Sequence, residues 1–347
     1  MPDELTYAGA GVDIDVTDAA KRQMADVVDR GDPRVLNRLG AFASLLQGSF
    51  PGYRRPVLVM KTEEPGSKQR LAFAHGRHAS IGVDLIHHLI NDIIVMGAQP
   101  LYVQDCIICS RMDPGIVKTL VASMSDACQK QGCVLCGGET SVQPGVLAGD
   151  GYVLTASAIG VVDEPAILDG SKIREGDVVL AAASNGLHTN GYSLVRKLLE
   201  RDPGLAAKRL GAETFMEVIL RPHTCYYLAV RDLFGDPDLK GLAHITGGGV
   251  QGNLDRILPQ GLDAQIDLSR LQVPEVFSAI RQAGPIPDSE MLRTFNMGVG
   301  LAVVCSASAA DRMVAHLRKG GCHSYAIGQV VPGTKQVRFT GAIDWED

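Results

Sequence analysis

No apolar run in this 347-residue chain approaches the ~20 residues needed to span a bilayer. Basic residues are not in excess: 33 lysines and arginines face 39 aspartates and glutamates, a net charge of −6. That balance argues against nucleic acid or an anionic membrane as the main partner. The opening stretch MPDELTYAGAG lacks the basic and apolar regions of a secretion signal, and the eight cysteines are dispersed. Together these predict a reducing, cytoplasmic setting. No period of 20–50 residues repeats, which argues against a solenoid. Two Cys-x-x-Cys pairs, Cys106/Cys109 and Cys133/Cys136, lack the tight turn of a zinc knuckle, because Ile107, Ile108, Val134 and Leu135 read as strand. These cysteines are expected to be small core hydrophobes.

What is present is an alternation of strand-like and helical runs, the mark of a mixed α/β protein. RPVLVMK, QPLYVQDCII and CVLC read as strands, the last entering a tight turn at GGET. Residues 80–96 read as a long helix, and 113–132 as another with Asp113 as N-cap and Pro114 at its first position. A second series of strands and helices begins near residue 169, after the polar, Gly- and Pro-containing stretch VVDEPAILDGSKIREG. Two domains are therefore expected, 1–168 and 169–347.

Several stretches carry candidate chemistry. VLVMKTEEPGSKQRLAF, residues 57–73, runs a strand into a turn fit for phosphate, yet enters it through Glu63 and Glu64. On the helix of 80–96, Asp84, His88 and Asn91 share one stripe with Asp92 on its shoulder. Such a buried polar stripe needs partners, either a Mg²⁺–nucleotide or a structural hydrogen-bond network. CGGETSVQPG presents Glu139 after a strand. SNGLHTNGYSLVRKLL places His188, Thr189, Asn190 and Gly191 at a helix start, a ready anion site. Arg196 or Lys197 adds charge there if it reaches back. AHITGGGVQGNL lets a ligand approach the backbone at Thr246, Gly247 and Gly248 beside His244. EMLRTFNMGVG sets Arg293, Thr294 and Asn296 before a strand, where they could line the same cleft. A plain turn would explain CGGETSVQPG, a capped helix with an incidental histidine the stretch 184–199, and a plain loop the stretch 290–300.

Taken in order, AGVDID (10–15), IGVDLIHHLINDI (81–93), GAQPLYVQD (97–105), CGGET (136–140), GLHTNGYSLVRK (186–197), HITGGGVQGNL (244–254) and EMLRTFNMGVG (290–300) resemble one family over nearly the whole chain. It is phosphoribosylformylglycinamidine cyclo-ligase, also called aminoimidazole ribonucleotide (AIR) synthetase. The resemblance implies an α+β, mixed α/β fold of two domains, with an N-terminal sheet forming a barrel shared by a homodimer and a C-terminal α/β domain. It implies ATP and Mg²⁺ as cofactors and a small ribonucleotide substrate. ATP would phosphorylate the formamide oxygen of formylglycinamidine ribonucleotide, and a nitrogen would then displace phosphate as the imidazole ring closes. On this resemblance Glu63, Asp84, Asp92 and Glu139 are expected to hold the metal, with Asp105 helping. Thr62, Gly66, Ser67, Lys68 and Asn91 are expected at ATP. Thr189, Asn190, Gly191, Thr246, Gly247, Gly248, Thr294 and Asn296 would hold the substrate phosphate, and His188, His244 and Asp84 would serve catalysis.

The chain departs from the family where ATP is expected. KTEEPGSK (61–68) stands for a Gly-rich G-T-D-G-V-G-T-K loop, so Glu63 replaces an aspartate, Ser67 a threonine, and Glu64 and Pro65 a flexible Gly-Val pair. Val142 replaces a glutamate, and Ala8 and Gly9 replace a Lys-Asp pair. Two alternatives therefore stand beside the family activity: a related ATP-dependent enzyme acting on another amide, and a non-catalytic paralogue.

Overall fold

A computed structural model describes residues 11, 13–28, 31–37, 42–147, 149 and 151–345. Ala8, Gly9, Ala10 and Val12 lie outside the described residues. The first unit comprises α1 (Ile14–Val28), β1 (Pro56–Glu63), α2 (Lys68–Ala74), α3 (His78–Ile94), β2 (Gln99–Cys109), α4 (Pro114–Lys130), β3 (Val134–Val142) and β4 (Tyr152–Asp163). Its four strands form one sheet in the order β1-β4-β2-β3, with β4 antiparallel to both neighbours and β2 parallel to β3.

α3 lies on one face of that sheet and also packs against α4. Its apolar residues recur at helical spacing, and Ile81, Leu85, Ile86, Leu89, Ile90 and Ile93 have no exposure at all. α4 begins as expected: Asp113 Oδ1 accepts from the N–H groups of Gly115 and Ile116 at 2.8 and 3.1 Å, with Pro114 at the first turn. β1 is an edge strand whose residues alternate in exposure, and its open face shows Leu58 and Met60 at 56% and 70% exposure.

The second unit contains β5 (Val178–Ala183), α5 (Tyr192–Arg201), a hairpin of β6 (Arg209–Leu210) and β7 (Glu213–Thr214), α6 (Phe215–Ile219), α7 (Tyr227–Val230) and β8 (Leu239–His244). It continues with α8 (Gly249–Leu254), β9 (Leu262–Asp267), α9 (Glu275–Ala283), α10 (Asp288–Thr294), β10 (Val299–Cys305), α11 (Ala310–Lys319), β11 (Ser324–Pro332) and β12 (Val337–Thr340). Six strands form its sheet in the order β12-β9-β11-β5-β10-β8, antiparallel except at β12–β9. β10 is buried along its whole length, which explains its unbroken apolar sequence VGLAVVC.

One expectation is corrected. CGGET does not turn; β3 continues through it to Val142, with a shift of register against β2 at Cys136. Gly138 pairs with Asp105 on β2, and a Cβ there would collide with the Asp105 carboxyl group. The glycine is needed for close approach between strands, not for a bend.

Candidate active site at the junction of the two sheets

The stripe on α3 meets the segment 220–226 of the second unit. Ser80 donates to the Leu220 carbonyl at 2.8 Å, and His87 Nδ1 donates to the His223 carbonyl at 2.5 Å. Asp84 Oδ1 accepts from the His223 N–H at 2.7 Å. Asn91 donates to the Thr224 carbonyl at 2.8 Å and accepts from the Tyr226 N–H at 3.0 Å. Much of the stripe is therefore a hydrogen-bond clamp joining the two units.

Lys68 belongs to that clamp. Its ammonium is fully buried, donating to Asp84 Oδ1 at 2.8 Å and to the Arg221 carbonyl at 2.6 Å. Burial pushes Asp84 up to about 6 and Lys68 below its ordinary value, while their mutual attraction opposes both shifts. Lys68 faces inward, away from the loop where phosphate was expected, and both ends of the Asn91 amide are occupied.

Glu63 and Asp92 do come together. The Lys61 ammonium sits 3.0 Å from Glu63 Oε2 and 3.0 Å from Asp92 Oδ2. Burial opposes its charge, yet the two carboxylates hold Lys61 above its ordinary value. His88 Nε2 lies 3.9 Å from the same Glu63 oxygen and 4.0 Å from Asp92 Oδ2.

Asp105 is in register with Glu63 across Ala156, which places both on one face of the sheet. Burial pushes Asp105 up to about 7, its own N–H opposes this, and Glu139 adds to it. Glu139 pairs with Cys106, one residue along, and so falls on the opposite face from Asp105 and Glu63. Thr62 also faces the open side, bonded to Ser157 Oγ at 2.7 Å. The four expected metal residues are thus not one cluster: Glu63 and Asp92 meet, Asp84 is withdrawn into the clamp, and Glu139 stands apart.

The 63–68 loop is closed on itself. Glu64 Oε2 accepts the Gly66 N–H at 2.7 Å, so the loop carries its own anion. Pro65 is buried, and a Cβ on Gly66 would sit 2.9 Å from the Thr189 carbonyl oxygen. Ser67 Oγ lies 3.4 Å from Ser193 Oγ on α5. The 63–68 loop therefore touches the 186–191 turn and the start of α5.

That turn opens α5 at Gly191, whose φ of +79° and contact with the Phe295 ring leave no room for a side chain. Asn190 Nδ2 is buried with no partner, while its Oδ1 faces Gly247. The 246–249 loop is laced by Asn253, whose amide donates to the Thr246, Gly247 and Gly249 carbonyls. Thr246 bonds Asn253 as well, and Gly248 takes a φ of +95° before α8. Asn296 braces the turn from beneath, donating to the Gly186 carbonyl at 2.9 Å and accepting from Ser184 and Gly298. Thr294 bonds back to Glu290 on its own helix. Lys197 pairs with Glu200 and does not reach back to the turn.

Between these loops lie four histidines. His244 Nδ1 donates to Asp92 Oδ1 at 2.7 Å, and its Nε2 lies 3.1 Å from His223 Nε2. His188 stacks on His223 with centroids 3.9 Å apart. His88 Nδ1 meets Thr189 Oγ1 at 3.0 Å. Burial holds His188 and His223 well below the ordinary histidine range, and the neighbouring histidines and Lys68 add to it. Burial, then His244, lowers His88 to about 4. Burial also opposes the charge of Asp92, but the His244 hydrogen bond and nearby positive groups hold its carboxyl well below the usual range. His223 and Lys61 carry no signal in the sequence: RPHTCY has no motif, and Lys61 reads as an ordinary strand residue. A cavity of about 440 Å³ lined by Tyr53, Gln99, Asp163, Tyr227 and Arg231 lies apart from all of these residues.

Residues 54–162 match the family described as AIR synthase related protein, N-terminal domain, and residues 174–340 its C-terminal domain. Curated relatives called phosphoribosylformylglycinamidine cyclo-ligase include those of Sorangium cellulosum, 41% identical over 335 residues, and Bordetella pertussis, 41% over 332. Each alignment covers 94% of this chain and 95% of the relative. The chain belongs to the phosphoribosylformylglycinamidine cyclo-ligase family. Solved structures share the fold of this AIR synthase related chain at lower identity. Escherichia coli HypE superposes with a TM-score of 0.68 at 19% identity, covering 95% of this chain and 97% of that one. The hydrogenase maturation protein HypE in complex with ATP gives 0.64 at 21%, covering 92% and 91%. Thiamine-monophosphate kinase of Stenotrophomonas maltophilia gives 0.65 at 16%, covering 95% and 96%.

Proposed function

We propose that this protein converts formylglycinamidine ribonucleotide into aminoimidazole ribonucleotide with ATP, the ring-closing step of purine synthesis. Its curated relatives carry that activity in their name. The observation that carries the reading is the contact of Gly66 with Thr189, which sets the ATP-side loop against the sugar-phosphate turn beside the histidines. ATP would deliver its γ-phosphoryl group to the formamide oxygen. The ring-closing nitrogen would attack the same carbon, phosphate would leave with that oxygen, and the nitrogen would lose a proton.

The chain's own groups suit each part. Asn190 and the backbone of 246–248 offer donors for a ribose 5-phosphate. His244, oriented by Asp92, would take the proton, with His188 as the second histidine. Glu63 Oε2 and Asp92 Oδ2, the two carboxylate oxygens that converge on the Lys61 ammonium, would hold Mg²⁺ once that ammonium is displaced. Bound there, Mg²⁺ would supply charge neutralisation for phosphoryl transfer.

The finer expectations follow on the same footing. The two units are read as domains 1–168 and 169–347. The open face of β1, with Leu58 and Met60 exposed, supports a homodimer built on that sheet. Eight unpaired thiols support a cytoplasmic setting.

The test is to incubate the protein with Mg-ATP and formylglycinamidine ribonucleotide and follow ADP and the aminoimidazole product. Both should appear in equal amounts. ADP without product, or neither, would overturn the assignment.

A further inference from the structure

We propose that His188, His223 and His244 form a site for one divalent d-block cation of the zinc class. One ring nitrogen from each residue lies within 4.8 Å of the other two, and all three side chains are buried. His223 Nε2 and His244 Nε2 are 3.1 Å apart. Tetrahedral zinc with Zn–N bonds of ~2.0–2.1 Å holds its nitrogens about 3.3 Å apart.

The surrounding hydrogen bonds can leave both of those nitrogens bare. His244 donates its Nδ1–H to Asp92 Oδ1, which leaves the lone pair on Nε2. A carboxylate behind a ligand histidine is the usual way to fix its tautomer and direction. His223 Nδ1 faces Thr189 Oγ1 at 3.5 Å, and the same hydroxyl meets His88 Nδ1 at 3.0 Å. A chain of donors from His223 through Thr189 to His88 then frees His223 Nε2 as well.

His188 supplies the independent observation. Both of its ring nitrogens are buried without any hydrogen-bond partner. Its φ of +60° is one that residues other than glycine seldom adopt, so the backbone brings this residue into the cluster at a cost. A buried imidazole left unpaired in this way is unfavourable, and a cation at its ring nitrogen would relieve it, the ring turning out of its stack on His223 to aim that lone pair.

Imidazole donors favour zinc, cobalt, nickel or copper over magnesium. The site is therefore chemically distinct from the Glu63–Asp92 pair. It rests on geometry and not on the proposed function. Where that function holds, His244 Nε2 cannot bind metal and accept a proton together, so the cation would inhibit ring closure.

The full-length protein, stripped with a chelator, should be titrated with Co²⁺ alone and read by visible absorption. One equivalent per chain should give the d–d bands of a low-coordinate nitrogen site, displaced by Zn²⁺ and not by excess Mg²⁺. Asp92→Asn should weaken binding by about 10–100-fold. His223→Ala should abolish the bands. His188→Asn, which tolerates a positive φ, should weaken them in a protein whose circular dichroism matches the parent. Absence of the bands in the parent, or their full retention in both histidine variants, would overturn the site. Absorption is independent of turnover, so failure of the ring-closing assay leaves this result unchanged, and the reverse.

Discussion

Lys68 donates to Asp84 Oδ1 at 2.8 Å, and neither side chain has any exposure to solvent. The pair also holds the Arg221 carbonyl and the His223 N–H, so it fastens α2 and α3 to the second unit. Removing one partner leaves the other charge buried. Asp84→Asn should therefore lose about 3–5 kcal/mol of unfolding free energy, and Lys68→Met a similar amount. The double variant Lys68→Met/Asp84→Asn should lose less than the two single losses added together. Urea denaturation of the three proteins gives the comparison, and additive losses would rule out the pair as a unit.

A separate expectation concerns Glu64. Its carboxylate occupies the Gly66 N–H, a donor that a phosphate would otherwise use. Glu64→Gln removes a negative charge from the loop and weakens that internal bond. ATP should bind more tightly by about 1 kcal/mol, roughly five-fold in Kd. Calorimetry with Mg-ATP is the measurement. Unchanged or weaker binding would mean that the loop's closure does not compete with phosphate.

How much of this was legible in the sequence differs from motif to motif. Helix α4 was readable because Asp113, Pro114 and the apolar spacing all point one way. The stripe on α3 was readable as buried and polar, but its partners were not. Asp84, His87 and Asn91 bond to backbone groups of 222–226, more than 130 residues away, and backbone donors leave no trace in side-chain pattern. The GGET segment misled because a glycine pair permits a turn and equally permits close packing against Asp105. Glu64, which lacked a role in sequence, closes its own loop, a bond decided by backbone torsions alone. His223 was invisible for the same reason as the clamp: only the tertiary fold brings it to His188 and His244.

Asp105 gives a pH dependence with a definite sign. Burial raises its carboxyl from 3.8 to about 7, so the folded protein favours the neutral form. The stability this contributes is fully present below about pH 4 and is lost as the pH rises through 7. The gap corresponds to on the order of 4 kcal/mol. Asp105→Asn cannot ionise and should be more stable than the parent at about pH 8, with the difference vanishing near pH 4. Denaturation in metal-free buffer across that range measures it. Parallel curves for the two proteins would show that Asp105 does not titrate in this window. Millimolar Mg²⁺ should flatten the parent's curve if Asp105 helps hold the metal.

Gly247 and Gly249 separate the demands of folding from those of binding. Gly249 has a φ of +62°, and a Cβ there would run into the Leu292 carbonyl. Gly249→Ala should therefore destabilise the protein whatever it binds. At Gly247 the φ is ordinary, and an added Cβ would rest 3.4 Å from Asn190 Oδ1, a normal contact. The fold has no need of glycine there, so Gly247→Ala should change stability by no more than about 0.5 kcal/mol. If the loop admits a ribose 5-phosphate against its backbone, the same methyl group would block the approach. KM for the ribonucleotide should then rise about ten-fold, a loss of about 1.4 kcal/mol, with kcat little changed. An unaltered KM would move the phosphate away from this loop and toward the Asn190 turn alone.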